Sequence, residues 1–198
     1  MIHLLFKLPS NLTVAVSGGP DSMAGLAFLS NTRNVNAAYF NHGTDHANEA
    51  QALVEKFCKE RSIPLRIGSL SLERNGESLE EYWRKERYNF FDKINGHVIT
   101  CHHLDDAVEW WLFTSFNGNP KLIPHKRGKY LRPFLLNKKT SLEEWCRRKN
   151  VPYITDPSNS NVVHRRNFIR RNIVPDVLLV NPGIHTVIKK KIRSCLTA

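Results

Sequence analysis

Six residues near the N-terminus read Ser-Gly-Gly-Pro-Asp-Ser, and their types suit a phosphate site. The two glycines let the backbone turn tightly, and the N–H groups of a helix that follows such a turn attract an anion. Asp21 would repel a bare phosphate, so a Mg²⁺-bound nucleotide is favoured. The candidate nucleotide-binding residues are Ser17, Gly18, Gly19, Pro20, Asp21 and Ser22.

The elements around this turn alternate between strand and helix over the first two-thirds of the chain. A β-rich run at 11–16 precedes the turn, and a helix-compatible stretch at 21–30 follows it. Such alternation predicts an α/β fold with a doubly wound, mainly parallel sheet, whose ligands bind beyond the carboxyl ends of the strands. We expect five strands, at 11–16, 35–41, 64–67, 97–101 and 151–154.

Serine–glutamate pairs mark the starts of two further helices. Ser78 with Glu81, and Ser141 with Glu144, have the spacing of a capping box. Residues 117–130 show no clear periodicity and are expected to form a loop. The remaining helices are expected at 46–61, 104–116, 167–180 and 185–195. We expect a catalytic domain over 1–160 and a short basic helical extension over 161–198.

A second group of candidate residues begins the helix expected at 104–116. The sequence from 101 to 109 is Cys-His-His-Leu-Asp-Asp-Ala-Val-Glu, and its acids lie on one helix face. Acids in a first turn suit the helix dipole, but beside a nucleotide they also suit Mg²⁺ or the ammonium group of an amine substrate. Imidazole groups suit proton transfer near neutral pH. The candidate catalytic residues here are His102, His103, Asp105, Asp106 and Glu109. The candidate Mg²⁺ ligands are Asp21, Asp105 and Asp106.

Positive charge is concentrated in the last part of the chain. Residues 121–198 contain 18 Lys and Arg against 4 Asp and Glu, whereas residues 1–120 contain 11 against 14. This asymmetry favours a polyanionic partner such as RNA over a merely solvated basic surface. The candidate RNA-binding residues are Arg165, Arg166, Arg170, Arg171, Lys189, Lys190 and Lys191.

Cysteine usage and hydropathy indicate a cytoplasmic protein. The four cysteines are widely spaced, without a CxxC pair, so we expect free, buried thiols rather than disulfides. No apolar run approaches the roughly 20 residues that span a bilayer, so no membrane partner is expected. The sequence leaves open whether the chain forms a homodimer.

SGGPDS resembles the SGGxDS signature of the PP-loop ATP pyrophosphatases, which split ATP between its α- and β-phosphates. With HHLDDxxE downstream, the chain resembles the N-terminal catalytic domain of the tRNA(Ile)-lysidine synthetases. Further segments of the family occur in the same order between about residues 12 and 176. They are Asn41-His42-Gly43, Glu86 to Phe91 (ARYxxF in the family), Leu131 to Leu135 (RPLL), Asp156 to Asn159 (DxSN), Arg166 to Arg170 (RNxxR) and Val174-Pro175.

This resemblance implies a Rossmann-like PP-loop fold and a specific reaction. ATP adenylates the wobble cytidine of an isoleucine tRNA with a CAU anticodon, L-lysine then displaces AMP, and lysidine forms. Asn41, His42 and Gly43 would join the nucleotide site, while Arg87 and Arg132 would stabilise charge near the phosphates or the cytosine. The basic second half would receive the anticodon stem-loop.

Some features depart from the family pattern. Trp110 follows Glu109 where the family usually has Thr, and residues 115–118 lack the arginine of its RGxG segment. The chain is expected to be a minimal form with the catalytic domain only. Two other interpretations stay open, namely another PP-loop enzyme (an RNA 2-thiolase or a small-molecule ligase) and a non-catalytic RNA-binding relative. The absence of CxxC pairs disfavours an iron–sulfur thiolase, and the basic half disfavours a small-molecule ligase.

Overall fold

A six-stranded sheet forms the centre of the computed structural model, which describes residues 1–70, 76–155 and 165–197. The strand order is β3-β2-β1-β4-β6-β5, and every pairing is parallel except that of β5 with β6. The doubly wound, mainly parallel α/β fold is confirmed. The strands are β1 (Asn11–Val16), β2 (Asn34–Asn41), β3 (Leu65–Ser69), β4 (Val98–Ile99), β5 (Lys126–Arg127) and β6 (Tyr130–Leu131).

The sheet corrects the expected strand count and its last strand. Residues 151–154 are not a strand; they are apolar because Val151, Tyr153 and Ile154 pack on the core. The sheet instead contains β5 and β6. Their residues come from the expected loop at 117–130 and from Leu131, which follows it. Each of these strands has only two residues, which is too short to produce a period-2 pattern.

Eight α-helices surround the sheet in the described residues. The helices are α1 (Pro20–Ser30), α2 (Asp45–Glu60), α3 (Leu79–Asp92), α4 (Leu104–Phe116), α5 (Lys139–Arg148), α6 (Arg165–Phe168), α7 (Val174–Val180) and α8 (Ile184–Thr197). A π-helical segment, Ile169–Ile173, joins α6 to α7. The capping box of Ser78 and Glu81 at the start of α3 is confirmed.

The start of α5 differs from the expected capping box at Ser141. The helix begins at Lys139, and no side-chain cap is made by the preceding Lys138. The backbone N–H of Lys139 instead donates to Asp105 Oδ2 at 2.8 Å. A side chain on α4 therefore satisfies a free N–H group at the start of α5.

Two groups of apolar side chains hold the layers together. The first lies around β1, α1 and α5 and includes the buried Val14, Met23 and Leu142. The second joins α4 to the C-terminal helices through residues such as Leu112 and Ile188. The basic C-terminal helices are thereby packed against the helix that carries the HHLDD motif.

The sequence predicts buried thiols for the cysteines and no apolar run long enough to span a bilayer. Cys58 and Cys146 are buried and Cys101 is half-buried, but Cys195 is exposed, so the expectation of burial is wrong for that residue. Among the described residues, no helix combines the length and apolarity needed to cross a membrane.

Candidate active site

The glycine-rich turn joins the carboxyl end of β1 to the first turn of α1. Gly18 has φ +79°, and a Cβ added there would lie 3.0 Å from the Cβ of Ala50. The Ser22 hydroxyl accepts from Ser17 N and donates to Gly19 O, both at 3.0 Å. Gly19, the N-cap of α1, has no side chain to cap the helix, so N–H groups of its first turn are available to a phosphate.

Asp21 lies in the first turn of α1 and has an unusual carboxylate. Its Oδ2 lies 3.5 Å from His103 Nε2. Its Oδ1 is buried and has no hydrogen-bond partner in the part of the chain that the structure describes. An unpaired buried carboxylate oxygen is costly unless a cation meets it. The residue therefore fits Mg²⁺ that arrives with a nucleotide.

A dedicated cage for a metal is absent from residues 1–70, 76–155 and 165–197. No group of three or more His, Cys, Asp or Glu side chains is arranged there to hold a metal ion. Mg²⁺ usually binds one or two carboxylates, with substrate phosphates and water as its other ligands. The single free oxygen of Asp21 agrees with that mode of binding.

His103 connects the two motifs, because it is the N-cap of α4. Its Nδ1 accepts from Asp106 N at 3.3 Å, while Asp106 Oδ2 accepts from His103 N at 3.0 Å. Burial lowers the pKa of His103, but the carboxylates of Asp106, Asp21 and Asp105 raise it, and the net direction is upward. A doubly protonated ring has no acceptor, so its protonation would break the bond from Asp106 N.

His102 has the opposite electrostatic environment. Burial lowers its pKa, Asp106 partly offsets this effect, Arg132 and Arg166 also lower the pKa, and the net value is about 4. Its Nδ1 lies 3.1 Å from the hydroxyl oxygen of Thr100. The ring is therefore neutral near pH 7 and retains a nitrogen that can accept a proton.

Asp105 is held by two contacts from other elements. In addition to accepting from Lys139 N, it meets His185 Nε2 on α8 at 3.1 Å. Burial raises the pKa of Asp105, but the bonds from His185 and Lys139 outweigh it and bring the pKa to about 2. This carboxylate is ionised at neutral pH and joins three helices.

Asp106 and Glu109 are paired with arginines of the C-terminal segment. Glu109, whose side chain is only 1% exposed, accepts from Arg166 Nε at 2.5 Å and from Arg170 Nε at 2.8 Å. Arg170 Nη2 also lies 3.1 Å from Asp106 Oδ1. The acids of α4 therefore already have cationic or N–H partners.

The candidate RNA-binding residues divide into two groups. Arg166 and Arg170 are half-buried and turn their guanidinium groups towards α4. Arg165 and Arg171 are exposed, as are Lys190 and Lys191 on α8, while Lys189 is half-buried. Contact with RNA remains a prediction for the whole set. The exposed members present their charges to solvent.

The Asn41-His42-Gly43 turn ends β2, at the same sheet edge as the glycine-rich turn. The amide of Asn41 donates to Asn48 Oδ1 and Gln51 Oε1 and accepts from Gly43 N at 2.7 Å. The His42 ring packs near Trp83, with centroids 5.2 Å apart. These contacts fix the turn; a role in binding nucleotide remains a prediction.

Arg132 follows β6 and is the less exposed of the two candidate arginines, Arg87 and Arg132. It is 6% exposed, its Nη1 donates to Pro124 O at 2.8 Å, and its Nε is a buried donor with no partner among the described residues. Arg87 on α3 is half-buried, and burial lowers its pKa. The DxSN segment, residues 156–159, lies outside the described residues.

Three residues in contact with the site were not among the candidates. Thr100 contacts His102, Lys139 N donates to Asp105 Oδ2, and His185 pairs with Asp105 from 80 residues away. Thr100 lies next to the HHLDD motif, so its position was a usable signal. The other two depend on helix packing that no local pattern reveals.

Comparison with known proteins adds a family to this geometry. A family model described as the PP-loop domain matches residues 4–177. The chain belongs to the PP-loop family. The role of the SGGPDS turn as the nucleotide-binding loop of this family remains a prediction.

Several curated relatives of this PP-loop chain carry one functional name. A protein named tRNA(Ile)-lysidine synthase from Thermotoga maritima is 32% identical over 197 residues, which cover 90% of this chain and 48% of the relative. Another of that name, from Francisella tularensis subsp. novicida, is 31% identical and covers 94% and 51%. A bifunctional TilS/HprT protein from Listeria monocytogenes is 32% identical and covers 93% and 32%. The PP-loop chain thus spans about half of these relatives or less.

Solved structures support the PP-loop fold. The NMN synthetase of Francisella tularensis matches with a TM-score of 0.50 and 16% identity, over 72% of this chain and 63% of that one. The NH3-dependent NAD synthetase of Campylobacter jejuni has the same TM-score and identity over 95% and 86%. At such identity these similarities establish the fold alone.

Proposed function

We propose that this chain is the catalytic domain of a tRNA(Ile)-lysidine synthetase, acting in the cytoplasm. It would adenylate the wobble cytidine of a CAU-anticodon isoleucine tRNA and join L-lysine to it, releasing AMP and pyrophosphate. The observation that carries the proposal is the 3.5 Å approach of Asp21 in the glycine-rich turn to His103 of the HHLDD motif. Two motifs some 80 residues apart thus meet at one sheet edge, as a nucleotide site joined to a substrate site requires.

The first step needs the phosphates of ATP held at the α1 N-terminus. Cytosine O2 attacks the α-phosphorus, the bond to the β-phosphate breaks, and pyrophosphate leaves. The N–H groups after Gly19 and the hydroxyl of Ser17 would bind the phosphates, with Asp21 holding Mg²⁺. Mg²⁺ held by Asp21 would supply positive charge that offsets the negative charge of the phosphates.

The second step needs a neutral amine and a proton acceptor. The lysine amine attacks C2 of the adenylated cytosine, the C2–O2 bond breaks, and AMP leaves with the oxygen. His102 is our candidate acceptor for the amine proton, because its lowered pKa keeps the ring neutral. Asp106 and Glu109 would position α4 through their arginine partners, and Asp105 would do so through α5 and α8.

The test is tRNA-dependent cleavage of ATP. Purified protein is incubated with ATP, Mg²⁺ and L-lysine, with or without an isoleucine tRNA transcript that carries the CAU anticodon, and AMP is measured by chromatography. We expect AMP and pyrophosphate in equal amounts only when tRNA is present. AMP formation that does not depend on tRNA would instead favour a small-molecule ligase.

A further inference from the structure

A cavity of about 630 Å³ lies between α3 and the β5–β6 hairpin, away from the glycine-rich turn. One face of α3 and the tip of the hairpin line it, and we name it the α3 groove. Its basic and aromatic lining consists of Arg84, Lys85, Tyr88, Arg127, Lys129 and Tyr130. None of these residues belongs to the motifs discussed above except Tyr88.

Both acidic side chains of the α3 groove take part in hydrogen bonds within the protein. Asp92 accepts a hydrogen bond from the Tyr130 hydroxyl, and Glu81 belongs to the capping box of α3. By contrast, Arg84 and Arg127 are exposed and have no ion-pair partner among the described residues. The lining has four cationic side chains and two acidic ones, so the groove presents net positive charge to solvent.

A buried arginine outside the lining of the groove, Arg132, interacts electrostatically with Arg84 and Arg127. Arg132 is 6% exposed and has a buried Nε donor without a partner among the described residues. Burial lowers the pKa of Arg132, the Tyr88 hydroxyl raises it, and the guanidinium groups of Arg127 and Arg84 lower it again. Like charges that lower one another's pKa in this way would be stabilised by an anion.

The α3 groove is coupled electrostatically to the candidate active site through Arg132. Arg132 interacts electrostatically with Tyr88 on the groove side and with His102 on the other. Tyr88 lies edge-to-face against Tyr130, with ring centroids 5.1 Å apart. Basic side chains interleaved with aromatic rings are the combination that binds single-stranded nucleic acid.

We propose that the α3 groove binds backbone phosphates of the RNA substrate, outside the nucleotide site at the PP-loop. This site would be separate from the basic C-terminal helices and would hold the RNA on the β5 edge of the sheet. The inference rests on the proposed function, because it requires an RNA substrate. It adds a binding surface that the proposed function does not need.

The test uses a double variant, Arg84→Gln with Arg127→Gln, in the full chain. Both side chains are exposed, so the variant is expected to fold, which circular dichroism would verify. Binding of a fluorescently labelled CAU-anticodon tRNA transcript is measured by anisotropy from 50 to 300 mM KCl. The matched control is Lys56→Gln with Lys59→Gln, two exposed cations on α2 outside the groove.

We expect the groove variant to bind tRNA about tenfold more weakly or worse, since charge-assisted bonds to phosphate are lost. The slope of the logarithm of the association constant against the logarithm of salt concentration is negative, and its magnitude should decrease by about 1.4, at roughly 0.7 for each lost single-strand phosphate contact. The control variant should match the wild-type protein, and the KM for ATP should stay unchanged in both.

Three outcomes overturn the proposal in distinguishable ways. Unchanged tRNA affinity and salt slope in the groove variant, with normal binding by the wild-type protein, would reject the groove alone. If the groove variant no longer binds inorganic pyrophosphate but binds tRNA as the wild-type protein does, the groove is a site for a free anion and not for RNA. A wild-type protein that binds no tRNA would reject both the groove and the proposed function.

Discussion

The ion pair of Glu109 with Arg166 and Arg170 yields the sharpest stability prediction. Glu109→Gln keeps the size of the side chain but removes its charge, which leaves Arg166 without a carboxylate partner among the described residues and Arg170 with Asp106 alone. Removing one member of a buried pair costs about 3–5 kcal/mol. The arginine side chains are 40% and 36% exposed and can regain some hydration, so we expect the lower end, about 3 kcal/mol.

That loss should be visible in thermal unfolding. For a chain of this size, about 1 kcal/mol shifts Tm by roughly 2–4 °C, so Glu109→Gln should lower Tm by about 6–12 °C. Calorimetry at neutral pH measures the shift. The matched control is Glu143→Gln, whose carboxylate lies 3.9 Å from Lys139 Nζ in a half-buried pair and should cost about 0.5–1 kcal/mol.

The same variants can refute this reasoning. A Glu109→Gln protein whose Tm equals that of the wild-type protein would show that the pair has no net stabilising effect. An equal drop in both variants would show that burial of Glu109 is not what matters. If Arg166 is the main partner, Arg166→Gln should destabilise to a similar degree, and the double variant should be less destabilised than the sum of the two singles.

The remaining predictions concern the nucleotide turn and the histidines. Gly18→Ala should raise the KM for ATP and destabilise the fold by about 1–3 kcal/mol, because alanine is strained at φ +79° and its Cβ meets Ala50. Gly96→Ala, with φ +80° and open space around it, is the control that shares only the backbone strain. Asp21→Asn should abolish the enhancement of ATP binding by Mg²⁺, as measured by calorimetry; an enhancement that persists would contradict the metal assignment. The NMR resonances of His102, assigned with His102→Gln, should keep their neutral-form shift from pH 8 to about 5.5 and titrate near pH 4, and a midpoint near 6.5 would contradict the burial argument. Because the folded pKa of His102 lies below the unfolded value, its neutral ring should stabilise the fold above about pH 6.5, and this contribution should be lost as the pH falls towards 4.

Local sequence patterns predicted correctly those elements whose stabilising contacts lie within a few residues. The helix expected at 104–116 is α4 with the same bounds. A strand and a turn precede it, acids lie in its first turn, and the rest of the helix is largely apolar. The capping box of Ser78 and Glu81 forms as expected, since both partners lie within one turn. The same pattern at Ser141 failed, because the N-terminus of α5 is capped by Asp105, 34 residues away.

The site was predictable in its residue types more than in its pairings. The positions of Asp21 and His103 follow from two adjacent parallel strands, β1 and β4, whose carboxyl ends share one edge. The partners of Glu109 lie 57 and 61 residues away. The sequence therefore revealed the positive charge of the C-terminal segment but not its pairing with Glu109. One signal was available: a glutamate on the apolar side of a helix must be buried with a cation.

The most direct test of the proposed function is the transfer of lysine to RNA. The protein is incubated with ATP, Mg²⁺ and radiolabelled L-lysine, together with an isoleucine tRNA transcript that carries the CAU anticodon. The matched control transcript differs only at the wobble position, which is G in place of C. We predict label in the CAU transcript and none in the control. Folded protein with saturating ATP that leaves the CAU transcript unlabelled would contradict the assignment of this PP-loop chain to lysidine formation.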